Sequence, residues 1–273
     1  MKQKNLIITL IVIVVVLVIG LAATVFLVLD QEKSTTAQGD HGLSMSKNHN
    51  CEYRTSVSNI AGDEIKVPVD TNGCLLSTAL KDVDPNDTER VPDDFEYQIL
   101  PEKNYYVIAV SSSDGPTRFD GDIPTGYAHT VQGAVMAMHN YMRAFSHYDL
   151  CVQVAKHDHH ILDRGAPSQK DAEEQCRDAA EYRQVLNEKV RDKGLDPNLD
   201  FLSIIGYRVK NYNENSAEFE FWRKGPADGP GPRYSRVNNH MMWVDGEWVF
   251  GPVADDNIYN EDSVPKDMVR WDI

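Results

Sequence analysis

Arg236–Val253, RVNNHMMWVDGEWVFGPV, is the stretch whose reading decides the fold. Asp245-Gly246 is a strong signal for a two-residue hairpin turn, because that turn needs positive φ at both central positions. The flanking residues then read as two strands, Arg236 to Val244 and Glu247 to Val253, with Trp243 and Trp248 placed to pair across them. Working back toward the N-terminus, the same period of two recurs. Ala217 to Arg223 alternates Phe219 and Phe221 against Glu218 and Glu220, and Phe201 to Tyr212 is a further strand. Gly225 to Pro232, with three Gly and three Pro, is the loop between Ala217–Arg223 and the strand that starts at Arg236.

Upstream of this meander the period changes to helical. In Pro124 to Ala144, Thr130 is placed to cap a helix by accepting a bond from a first-turn amide. Val131, Val135, Met138, Met142 and Phe145 recur at spacings of three and four, and Ala134, Ala137 and Tyr141 widen the stripe. Gly133 and Ala137 lie four apart, which lets another backbone approach closely. Asp149 to Leu162 fits a helix, although Leu150, Val152 and Val154 also alternate like a strand. Ser168 to Lys193 is helical, with Ser168 as cap, Asp171, Glu173 and Glu174 in its first turns, Lys189, Arg191 and Lys193 at its end and Gly194 as its stop. Tyr105 to Val110 reads as a strand, followed by a loop through Ser-Ser-Ser-Asp-Gly-Pro. Helices followed by an antiparallel meander define an α+β domain. Long helices laid into a strongly curved sheet make a cone, cystatin-like or nuclear-transport-factor-2-like, with a pocket at its open end.

The N-terminal part belongs to a different environment. Leu6 to Leu29 is a run of 24 residues without a charge. As a helix it covers about 36 Å, enough to span a hydrocarbon core of ~30 Å with some tilt. Lys2 and Lys4 precede it and Asp30 and Glu32 follow, so the positive-inside rule leaves residues 1–5 in the cytoplasm and everything beyond Asp30 outside. A cleaved signal peptide is the rival reading, with Leu21-Ala22-Ala23 as a weak cleavage site. Gln31 to Asn50 is polar and reads as a flexible linker within 30–50. Cys51 to Pro101 reads as an extended arm with one hairpin, the 102–253 region as the extracytoplasmic domain, and 254–273 as a polar tail.

Charge and cysteines agree with that placement. Beyond residue 29 the chain has 25 basic and 42 acidic residues, a balance of −17. Such a surface repels nucleic-acid phosphates and anionic headgroups, which argues against nucleic acid as a partner. Cys51, Cys74, Cys151 and Cys176 all lie on the outer side, an even number that suggests two disulfides. Three pairings are open; the simplest joins neighbours, Cys51–Cys74 and Cys151–Cys176. Each closes a loop of about 25 residues, worth roughly 3 kcal/mol in the chain-entropy model. Four buried free thiols are the alternative. The spacings match no zinc pattern.

The stretch Val110-Ser111 … Gly115-Pro116 … Gly121 … Thr125-Gly126-Tyr127-Ala128-His129-Thr130 … Gly133-Ala134, closing with Trp243-x-Asp245-Gly246-x-Trp248, resembles a family of actinobacterial single-span membrane proteins. The likeness covers roughly residues 100 to 253. It implies the same layout of anchor, spacer and one extracytoplasmic domain, in proteins often found on plasmid-like and integrative conjugative elements. That family has no assigned reaction or ligand, so no functional residue is carried over. In architecture and in the terminal hairpin the chain also resembles, more distantly, the bitopic assembly proteins of type IV secretion channels, whose outer domain is a nuclear-transport-factor-2-like cone.

Chemistry-bearing residues are few. His129, with its neighbour Tyr127, is the candidate ligand-binding pair at the mouth of the cone; the competing role is to bond a loop carbonyl and hold the Thr125-Gly126-Tyr127 turn. Gly126 supplies a backbone angle or a close approach. His157-Asp158-His159-His160 is the most metal-like cluster, but on a helix only His157 and His160 share a face, and it reads as solvated surface. Ser111-Ser112-Ser113-Asp114-Gly115 lacks the elbow of a serine hydrolase, and no phosphate-cradling glycine loop occurs. Asp93-Asp94 and Asp255-Asp256 read as solvated charge, and Trp222, Trp243 and Trp248 as core. No cofactor is implied. The expectation is a membrane-anchored interaction module with envelope partners or a second copy of itself, not an enzyme. The alternatives are a binder of a small ligand in the cone and an enzyme with His129 as base.

Overall fold

Three helices and several largely antiparallel sheets make the described part of the chain a mixed α+β fold. The structure is a computed structural model that describes residues 44–45, 51–59, 62–102, 106–157, 169–192, 196, 203–225, 233–251 and 258–271. The expected span 6–29, most of the linker, His159, His160, Ser168, Lys193, Gly194, most of the Gly225–Pro232 loop and Asp255-Asp256 lie outside those residues. Among the described residues no helix is long and apolar enough to cross a membrane.

The first sheet has the order β1 (Ser44–Met45), β2 (Glu52–Ser58), β3 (Glu64–Pro68), β4 (Glu96–Leu100) and β5 (Tyr106–Val110). Its pairs are antiparallel except β3 with β4, which are parallel. The region read as an extended arm with a hairpin therefore supplies three strands of a sheet that continues into β5. Every residue of β4 and β5 is buried. Even Glu96 and Gln98 are inside: Lys66 and the Tyr53 hydroxyl meet the Glu96 carboxylate, and the Gln98 amide bonds both the N–H and the C=O of Cys74.

A short hairpin of β6 (Arg118–Asp120) and β7 (Ile123–Thr125) leads into helix α1 (Val131–Ala144). Thr130 caps it, accepting a bond from the Gly133 amide at 3.0 Å. The sequence stripe predicts one buried face, but the helix is covered nearly all round, with Gln132, His139 and Asn140 inside as well. The reason is its position: α1 packs on β5 of the first sheet and on strands of the second. Then follow α2 (Tyr148–His157) and α3 (Gln169–Arg191). Both disulfides form, and they join sequence neighbours, Cys51–Cys74 and Cys151–Cys176; the second ties α2 to α3.

The second sheet is the expected meander of β8 (Ser203–Asn213), β9 (Ser216–Gly225), β10 (Arg233–Val244) and β11 (Glu247–Phe250). Asp245 and Gly246 take φ of 51° and 86°, and Trp243 stands directly opposite Trp248 with ring centroids 5.1 Å apart. Irregular register at Ile204/Gly206 and Val209/Asn211 bends β8. The C-terminal residues, expected to be a polar tail, contain strands instead. β12 (Ile258–Glu261) pairs with β10, and β13 (Val269–Arg270) with β8. Trp271, only 2% exposed, packs against Phe95 and Tyr207. One buried aromatic at the end of a charged segment has no periodicity to announce it.

Candidate functional site

The quoted glycine-rich signature converges on one place, where the loop after β5 meets the start of α1 and the β10–β11 hairpin. Gly115 has φ +94° and precedes a cis peptide bond to Pro116. A Cβ there would lie 2.8 Å from the Gly126 carbonyl oxygen, so Gly115 lets the two backbones touch; Gly126, at φ +75°, leaves room for the Thr117 and Arg118 side chains. The Gly126 amide donates to Glu247 at 3.1 Å, and Arg118 pairs with the same carboxylate. The Trp248 indole donates to the Ala128 carbonyl at 2.7 Å. The signature thus fastens the first loop and the helix start to the last hairpin.

Asp114 is the centre of this arrangement and is fully buried. Arg90 binds it with two bonds of 2.6 and 2.8 Å, Ser113 donates at 2.6 Å and the capping Thr130 at 2.8 Å. A carboxylate is buried here because four donors replace its water. Thr130 therefore accepts from the helix and donates to Asp114 in one relay. Ser112 bonds Asp94 and accepts from Lys81, which also pairs with Asp93. Those Ser and Asp side chains hold the loop to the segment before β4.

His129 is only partly exposed, and its ring is committed. It stacks on Trp243 with centroids 4.1 Å apart and planes 8° from parallel. Its Nε2 lies 2.6 Å from the Glu214 carbonyl oxygen; a carbonyl only accepts, so Nε2 carries the proton. Its own carbonyl accepts from the Tyr212 hydroxyl at 3.0 Å. The Tyr127 hydroxyl is in the interior, accepting from Asn140 at 2.7 Å, and burial raises its pKa well above the usual phenol value. The two residues paired by sequence therefore point to different places. His157 faces Asp120 at 3.6 Å and Tyr141 at 3.4 Å. Among the described residues no group of three metal-ligating side chains forms. Trp222 is buried beneath the Arg208 guanidinium.

Gly133 is closely approached by the backbone of Ala128, just ahead of its own helix. A Cβ there would stand 2.1 Å from the Ala128 carbonyl oxygen, the acceptor of the Trp248 indole. Gly133→Ala is expected to lose about 3 kcal/mol despite the better helix propensity of Ala, because backbone must move. Urea unfolding checks it; a stabilised variant would contradict the contact.

Sequence reading passed over two histidines, the buried His139 of α1 and the half-buried His147 just beyond its end. His139 and His147 lie near arginines: Arg143 and Arg223 act on the first, Arg143 and Arg183 on the second. Burial, helped by those charges, pushes His139 down to about 3 and His147 down to about 4. An unfolded histidine titrates near ~6.5, so below that pH the unfolded chain takes up protons the native chain refuses. Stability is then full above about 6.5 and falls as pH drops toward about 4. Unfolding midpoints at pH 7.5 and pH 5 test this, and His139→Gln is expected to flatten the slope.

An α+β domain built round a two-sheet helix sandwich, with a signature that locks loop to hairpin, is the class the geometry defines. The family described as "Domain of unknown function (DUF8175)" matches residues 71–267, and the chain belongs to that family. No curated protein and no solved structure matches it.

Proposed function

We propose that the chain is a membrane-anchored extracytoplasmic interaction module, a structural component of a conjugation- or secretion-like envelope assembly. Leu6–Leu29 is the anchor, its N-terminus cytoplasmic, and the disulfide-bonded domain works outside as a curved-sheet cone; the bulges of β8 support the curvature. The observation that carries this reading is α3. It runs for 23 residues, buries only a thin line through Ala172, Cys176 and Val190, and is pinned to α2 by Cys151–Cys176. On its open side Tyr182 and Val185, 46% and 49% exposed, stand at helical spacing among charges. A long helix held rigidly with an aromatic and an aliphatic side chain turned to water is a presented surface. A photo-crosslinking residue at position 182 or 185, activated in native membranes, is expected to give a discrete adduct with another envelope protein or a second copy. Loss of all adducts at both positions, with reporter fusions after Ile273 active only inside the cell, would end the proposal.

A further inference from the structure

The inner face of β9 and β10 turns polar where it should continue the core. Along β9, Ala217, Phe219 and Phe221 are followed at the same spacing by Arg223; their partners on β10 are Met241, Asn239, Val237 and Ser235. Residues directly opposite share a face, so Arg223, Ser235 and Asn239 point the same way as the buried phenylalanines. Ser235 and Asn239 are 7% and 9% exposed. From α1, His139, 4% exposed, lies close enough to this row to feel the Arg223 charge. Its ring lies 5.5 Å from that of Tyr97, whose hydroxyl accepts from the Ile204 amide at 3.0 Å, and Ile204 is the β8 partner of Arg223. Arg143, one turn further along α1, adds a second positive charge felt at His139.

These groups share a deficit. His139 Nε2, Arg223 Nε, Ser235 Oγ and Asn239 Nδ2 are buried and find no hydrogen-bond partner among the described residues. Burial alone pushes the Arg223 guanidinium down to about 10, with no carboxylate among the described residues opposing it, and it stays charged at neutral pH. Leaving one such donor unpaired costs about 1–3 kcal/mol, and native interiors hold few of them. Four on one face, one of them on a charged guanidinium with no acid beside it among the described residues, are complementary to something negative that accepts several bonds.

We propose that the surface formed by His139, Arg223, Ser235 and Asn239 binds a small molecule bearing an oxyanion, a carboxylate or a phosphate, against the inner face of the second sheet. This goes beyond the docking role of α3 and stands whether or not that helix has a partner. The chain's net charge of −15 repels anions at long range, so a site of this kind selects by contact and not by steering.

The test is titration calorimetry on the full chain in neutral detergent, with inorganic phosphate and succinate as separate probes. Saturable one-to-one binding of either is expected, weakened at least tenfold by Arg223→Gln and unchanged by Lys210→Gln on the opposite face. Which probe binds tells phosphate from carboxylate. As a second readout, the ring signals of His139 in the unaltered chain shift with the same saturation curve. No saturable binding of either probe up to about 10 mM, or binding that leaves His139 unmoved, overturns the proposal.

Discussion

Asp114→Ala lowers the free energy of unfolding by about 3–5 kcal/mol, the range for breaking one side of a buried ion pair. The substitution strands the Arg90 guanidinium, whose side chain is only 17% exposed, and removes the acceptor that orients Thr130 at the start of α1. Urea titration by circular dichroism gives the value. The companion variant Arg90→Leu with Asp114→Leu removes both charges, so it is expected to lose less than Asp114→Ala alone. A single variant within about 1 kcal/mol of the parent would show that the pair is not the organiser of this loop.

Asn140→Leu has an expected loss of similar size, about 3–5 kcal/mol, for a different reason. β5 is the last strand of its sheet, and its outer edge would be unpaired. Asn140 supplies the missing partner from the helix: its Oδ1 accepts from the Ala109 amide at 2.8 Å, and its Nδ2 donates to the Ala109 carbonyl at 2.9 Å. The same amide reaches the Tyr127 hydroxyl, and the Tyr106 hydroxyl donates to the Asn140 carbonyl. Leucine matches the volume and removes the bonds, leaving a buried N–H, a buried C=O and a buried phenol unsatisfied. Hydrogen exchange at Ala109 is expected to speed up with the loss of stability. An unchanged exchange rate there would place the edge bond elsewhere.

These two residues also show where sequence reading stops. The hairpin at Asp245-Gly246 was legible because a two-residue turn leaves few alternatives, and the strand before it alternates by burial from Tyr234 to Met241. The stripe on α1 was legible too. What a period of 3.6 cannot say is whether the face opposite the stripe meets water or a second layer. Asn140, His139 and Gln132 read as the wet side of an amphipathic helix, and all three are inside because α1 has a sheet on more than one side. Asp114 sits in Ser-Ser-Ser-Asp-Gly-Pro, a composition that means loop, and the basic residue that pairs with it is 24 positions away. β2 was missed for a related reason: most of Glu52–Ser58 is exposed, so no buried alternation marks it. The cysteine spacing left three pairings open; the sheet and the α2–α3 contact settle it as neighbours.

That pairing has a consequence for how the molecule comes into being. A chain emerging N-terminus first presents Cys51 and Cys74 before either later thiol exists to compete, and Cys151 and Cys176 arrive as the remaining couple. Pairing in order of emergence would by itself make only the native bonds, with no wait for the far end of the polypeptide.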